Sequence, residues 1–292
     1  MNLLGWILGE RVAMALTLQT LTETQIASPP GTYFKLREAI EDPDATFEDY
    51  SRIISLDPAL AARLLKVVNS PFYGLTARVE TIAHALNIVG SDQLSELALA
   101  TSVISQFDGL PPGLIDLNEF WAHSVACGVA ARHIAQHCGM EEPDRYYVAG
   151  MLHDIGKLVL FREAPGQVQT ILAQFDPRED LALVEMESKI MGFNHAQIGG
   201  ILLKEWKLPA NLADAVNAHH DPSKAKLNPK GAAVVHVADF LVYEMKLGSS
   251  GEPALPPLKK SALTDLGLTL DFIKDARVVV FEEADQALQL FM

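Results

Sequence analysis

Apolar residues recur at helical spacing through almost the whole 292-residue chain, and strand-like alternation is nearly absent. That single pattern constrains the fold to an all-α architecture, because a period of 3.6 buries one stripe of a helix and cannot line one face of a sheet. Between Phe47 and Val68 the apolar positions Ile53, Ile54, Leu56, Leu60, Leu64, Leu65 and Val68 fit two helices broken at Asp57-Pro58. Asp57 suits an N-cap there and Pro58 a first helical residue. Asn69-Ser70-Pro71 then stops the second helix. A helix from Thr81 to Val89 is expected to end at Gly90, and another to run from Ser91 to about Phe107. Asp108-Gly109-Leu110-Pro111-Pro112-Gly113 is the clearest linker, dividing a lobe up to about residue 112 from a second lobe after it.

Beyond the linker, Asn118–Cys138 is expected to form one long helix closed by Gly139. Further helices are expected over Pro143–Glu163, Pro165–Gln174, Leu181–Met191, His195–Lys204, Pro209–His219, Lys230–Leu247 and the final segment. Ala276–Phe281 is the one run that the pattern leaves unassigned.

Composition narrows the function. Apolar residues make up 49%, enough for a sizeable core, while aromatics at 7% leave that core to Leu, Ala, Val and Ile. The net charge of −14 repels phosphate backbones and argues against general nucleic-acid binding. Two cysteines, Cys127 and Cys138, are too few for a disulfide framework or a four-cysteine zinc site, and are expected to be reduced. Met1–Leu21 is apolar but carries Glu10 and Arg11. Its start, Met1–Leu8, is expected to be a short amphipathic element, and the stretch neither a leader nor a membrane span, so a cytoplasmic protein is expected.

The sharpest local signal is Gly150-Met151-Leu152-His153-Asp154-Ile155-Gly156-Lys157. A His-Asp pair inside an apolar helix is costly without partners, and both side chains can converge on one metal ion if ligands arrive from other helices. Lys157 follows three residues after Asp154 on the same face, where it can hold a phosphate near such an ion. The plain alternative is an Asp154–Lys157 helix pair beside a packed histidine. His123, His195, His219, His220 and Asp239 stand on other apolar segments and are the residue types that zinc, iron or manganese centres use. His133 and His137 sit in the last turns of a helix, where a plain capping role suffices. His84 is expected at the surface, Trp121 and Trp206 in the core, and His236 beside the site or simply packed.

The order His123, His153-Asp154, His195, His219-His220, Asp239 resembles the HD superfamily of metal-dependent phosphohydrolases. The stretches Asp57-Pro58-Ala59-Leu60, Asn69-Ser70-Pro71-Phe72-Tyr73, Ala149–Leu158, Asn194–Gly199, Trp206–Pro209 and His219-His220 resemble most closely its HDOD branch, the HD-related output domain. The resemblance covers roughly residues 28–243, leaving 1–27 and 244–292 as helical extensions. It implies a bacterial signalling output module that binds a protein or nucleotide partner, many members having lost their metal ligands. This chain keeps His or Asp at every such position. The alternative that the superfamily implies is a phosphohydrolase acting on a nucleotide or other phosphoester. His123, His153, Asp154 and Asp239 would then hold one ion, and His195, His219 and His220 a second ion or the phosphate. The ions would be iron, manganese or zinc, one or two of them, with Asp154 and Lys157 as the catalytic groups and Lys157 neutralising developing charge. Asp221-Pro222-Ser223-Lys224 stands where the cyclic-di-GMP phosphodiesterase branch has Gly-Tyr-Pro, so that activity is disfavoured.

Overall fold

The computed structural model describes residues 31–291 apart from 70–72, 74, 76, 104–106, 108–109, 111–112 and 177–181. Met1–Leu21, most of the expected linker at Asp108–Gly113 and the Ser70–Phe72 part of the turn motif lie outside the described residues. Every regular element among the described residues is helical, as the apolar period requires. No helix among them is long and apolar enough to cross a membrane.

The first part comprises α1 (Gly31–Glu41), α2 (Phe47–Ser55), α3 (Pro58–Val68), α4 (Ile82–Val89) and α5 (Ser91–Val103). Local chemistry sets these boundaries. Thr46 and Asp49 form a capping box at the start of α2, and the Asp57 carboxylate accepts from the Leu60 amide at 2.9 Å to start α3. Asn69 ends α3 and holds the returning chain. Its side-chain amide donates to the Leu65 and Val79 carbonyls at 2.7 and 2.6 Å, and its oxygen accepts from the Val79 amide at 2.6 Å.

The second part comprises α6 (Leu117–His137), α7 (Asp144–Leu152), α8 (Ile155–Glu163), α9 (Pro165–Gln174), α10 (Leu183–Met191), α11 (His195–Glu205), α12 (Ala210–Asn217), α13 (Pro229–Met245), α14 (Lys260–Leu266) and α15 (Leu270–Phe291). Helix α6 is the axis of the molecule. Phe120 through Ala131 are all buried, leaving that stretch no side open to solvent, and α7, α13 and α15 pack around it. Ala276–Phe281, unassigned by the pattern, lies inside α15, which packs on α6 and α3 and so ties the two parts together. His133 and His137 stack on Phe272 of α15, with ring centroids 5.9 and 4.1 Å apart, and His84 is exposed. One apolar cluster runs from Leu36, Ile54 and Leu97 to Val125, Leu158 and Val216, through both parts.

Glu96 of α5 lies where the two parts meet. It is buried, its Oε2 has no hydrogen-bond partner, and Arg145 of α7 stands 4.0 Å from its Oε1. Burial pushes its carboxyl up to about 7, with Arg145 only partly opposing. A carboxyl raised on folding gives stability that is present below its ordinary value near 4.5 and is lost as pH rises to about 7. Glu96→Gln removes that loss. Urea unfolding should find the variant more stable than the parent at pH 8 by on the order of 2–3 kcal/mol, with little difference at pH 4.5.

Candidate metal centre

The expected helix over Pro143–Glu163 is split. It breaks at His153-Asp154 into α7 and α8, with Asp154 at φ −97° and ψ 8°. Apolar residues on both sides hide the break from a periodicity argument, and glycines explain how it packs. A Cβ on Gly150 would fall on the Cys127 carbonyl of α6, and one on Gly156 would fall on the His195 carbonyl at the start of α11. Both helix ends are thereby drawn close to their neighbours, with the His-Asp pair between them. Likewise the expected Pro209–His219 helix ends at Asn217, which frees His219 and His220 to point inward from a turn.

All seven candidate ligands converge. The donor atoms of His123, Cys127, His153 and Asp239 lie within 4.8 Å of one another, and so do those of Asp154, His195, His219 and His220. Asp154 stands between the groups. Its Oδ2 is 3.2 Å from His153 Nε2, while its Oδ1 is 3.2 Å from His195 Nε2 and 3.8 Å from His219 Nε2. Asp239 Oδ1 lies 3.2 Å from His123 Nε2 and 3.6 Å from His153 Nε2. His195 and His220 face each other through their Nε2 atoms at 2.8 Å.

Backbone and carboxylate partners orient the rings. His153 Nδ1 donates to the Gly150 carbonyl and His219 Nδ1 to the Val216 carbonyl, each at 2.7 Å. His195 Nδ1 donates to Glu187 Oε2 at 2.7 Å, and the same oxygen accepts the His195 amide at 2.9 Å. With Nδ1 occupied, each ring presents Nε2 inward, the arrangement that outer partners impose on metal-bound histidines. His236 bonds the His219 carbonyl at 2.8 Å and so fixes the turn behind it without entering the site.

Two observations fit a cation to this site. His153 Nε2, Asp154 Oδ1 and His219 Nε2 are buried without hydrogen-bond partners, which is costly unless something else binds them. Four carboxylates also gather there: Asp154 and Glu252 meet the Lys157 ammonium, while Glu187 and Asp239 meet only imidazoles, Glu187 that of His195 and Asp239 those of His123 and His153. The histidines register that negative charge. Burial alone would lower His153, yet Asp154 and Asp239 hold it up at about 10; His195 is similarly held at about 9, chiefly by Glu187. Burial and then the His153 charge push His219 down to about 3. Asp154 and Asp239 stay well below the usual carboxylate range despite burial, through His153 and Lys157 for the first and His123 and His153 for the second.

Lys157 is differently placed from a free phosphate ligand. Its Nζ donates to Asp154 Oδ2 at 2.9 Å, Glu252 Oε2 at 2.9 Å and Ser250 Oγ at 3.1 Å, which uses all three N–H bonds. Sequence reasoning missed Glu187, Ser250 and Glu252. Glu187 is spaced like a surface acid and the other two lie in an irregular segment, so only long-range packing finds them. Cys127, which the cysteine count set aside, stands four residues after His123, so both lie on one helix face.

Residues 26–222 match the HDOD domain family. An uncharacterized protein of Treponema pallidum (strain Nichols) is 27% identical over 197 residues, which is 66% of this chain and 37% of that protein. The chain thus spans little more than a third of that curated relative. Among solved structures, a provisionally assigned phosphohydrolase of Shewanella amazonensis SB2B superposes with a TM-score of 0.72 at 24% identity, over 94% of this chain and 96% of that one. An HDOD domain protein of unknown function from Geobacter sulfurreducens gives 0.69 at 23% identity, over 94% and 95%. A second Shewanella amazonensis protein, provisionally assigned as a metal-dependent phosphohydrolase, gives 0.60 at 20% identity, over 90% and 96%. At these identities the likeness is one of fold.

Gly156→Ala should destabilise the protein by about 1–3 kcal/mol in urea, because overpacking forces α8 and α11 apart. Gly166→Ala, where the new methyl meets nothing within 4 Å, should stay within about 0.5 kcal/mol of the parent. Equal unfolding midpoints for the two variants would contradict the close approach.

Proposed function

The chain belongs to the HDOD domain family, and from that premise we propose that it is a metal-loaded signalling module that acts by binding a protein or nucleotide partner. Enclosure of the site carries the reading. His123, His153, Asp154, His195, His219 and Asp239 are all buried, and the Lys157 ammonium beside them is held by Asp154, Glu252 and Ser250. Charge stabilisation in a transition state needs donors aimed at where charge develops, and the Lys157 donors are aimed at the protein itself. Here Lys157 positions Asp154, and Glu187 positions His195.

A second reading, a metal-dependent phosphohydrolase, is favoured by the complete donor set with its unpartnered Nε2 and Oδ1 atoms. In it His123, His153, Asp154 and Asp239 would hold one divalent ion, and His195, His219 and His220 would hold a second ion or the phosphate. When bound, such ions supply Lewis-acid polarisation of a phosphoryl oxygen. Iron, manganese and zinc all suit imidazole and carboxylate donors. The Lys157 ammonium would have to exchange Glu252 for the substrate.

Elemental analysis and phosphoesterase assays on one preparation, purified without chelator, test both readings. Metal is expected in the parent, in His133→Ala and in His137→Ala, and is expected to be lost in His153→Ala and Asp154→Asn. The loaded parent is expected to leave a broad panel of nucleotides and phosphoesters intact. Equal metal content in the parent and His153→Ala would remove the site. Robust hydrolysis that disappears in His153→Ala and falls about 100-fold or more in Lys157→Ala would replace the module with the enzyme.

A further inference from the structure

Cys127 has no part in either reading. It is fully buried on α6, one turn after His123, with its Sγ 3.4 Å from His123 Nε2. Ala126, Ala130 and Ala131 on the same helix are fully buried beside it as alanines, so packing there does not call for sulfur. What the thiol adds is a fourth donor, because Sγ lies within 4.8 Å of the donor atoms of His123, His153 and Asp239.

Ligand atoms at about 2.0–2.3 Å around a tetrahedral zinc lie about 3.3–3.8 Å apart. The observed spacings of 3.4 Å for Cys127 to His123 and 3.6 Å for His153 to Asp239 fall in that range, and 3.2 Å for His123 to Asp239 lies just below it. The charges match as well. One thiolate and one carboxylate neutralise a dication, which suits a group with no access to water. The neighbouring group, Asp154 with His195, His219 and His220, offers only nitrogen and oxygen.

We propose that Cys127 is a thiolate ligand of the ion held by His123, His153 and Asp239, so that the centre has two chemically unequal positions. The sulfur-bearing position takes zinc, and the nitrogen–oxygen position takes a harder first-row ion such as manganese or iron(II). The inference rests on the metal-holding reading above and names the ion that one half of the site selects. On binding, the Cys127 S–H bond breaks, the sulfur lone pair forms the bond to the ion, and the proton leaves to solvent. Nothing is oxidised or reduced.

Cobalt(II) reports thiolate ligation directly, through a sulfur-to-cobalt charge-transfer band in the near ultraviolet. Chelator-stripped protein is titrated with cobalt(II) for the parent, Cys127→Ser and Cys138→Ser. Cys138 serves as the control because its Sγ contacts the Leu266 carbonyl away from the site. The band is expected in the parent and in Cys138→Ser, is expected to bleach on adding zinc, and is expected to be lost in Cys127→Ser while the weaker d–d bands persist. Zinc-edge X-ray absorption on the parent needs no variant, and should find a sulfur neighbour at about 2.3 Å. Cobalt bound with d–d bands but no charge-transfer band, or a zinc shell of nitrogen and oxygen alone, would overturn the thiolate while leaving the metal reading intact. A parent that binds neither ion would overturn both.

Discussion

A buried carboxylate between two clusters of imidazoles is the constraint on which the rest of this structure depends. Asp154 has one oxygen beside Lys157 and His153 and the other beside His195 and His219. A charge so placed is unaffordable without compensation from several directions. The helix break at His153-Asp154, the close approach forced by Gly150 and Gly156, and the inward turn at His219-His220 all serve to bring that compensation within reach. Glu187 and Glu252 add two further carboxylates, the first against His195 and the second against Lys157. So many carboxylates gathered around imidazoles suit a centre that holds cations.

The family match ends at residue 222, yet the site does not. Asp239 on α13 faces His123 and His153, and Glu252 and Ser250 hold Lys157. Gly248, with φ at +70°, lies against the His123 amide and the Glu119 carbonyl, an approach that a side chain would block. The Ser249 amide donates to that carbonyl at 2.9 Å. The segment after α13 is therefore packed into the centre through its backbone as well as its side chains. The residues past the match complete the charge balance of those within it.

Much of this was legible in the residues. The helical period announced the all-α fold, the cap at Asp57 marked a real helix start, and seven His and Asp residues on apolar segments pointed to one polar centre. Periodicity could not register the split between α7 and α8, since Met151, Leu152, Ile155 and Leu158 are buried on either side of it. It also could not show that Lys157 turns to Glu252, a partner 95 residues away in a segment without regular structure. A helix pattern reports which face is buried; it does not report what a buried charge meets there.

The central claim is that the converging histidines and carboxylates hold metal ions on either side of Asp154. Anomalous diffraction from crystals grown without chelator, recorded across the zinc, iron and manganese edges, tests it most directly. Peaks are expected between His123, His153 and Asp239 and between His195, His219 and His220, with Asp154 next to both. Full-occupancy side chains in that arrangement with no anomalous peak at either position, from protein supplied with all three metals, would contradict it.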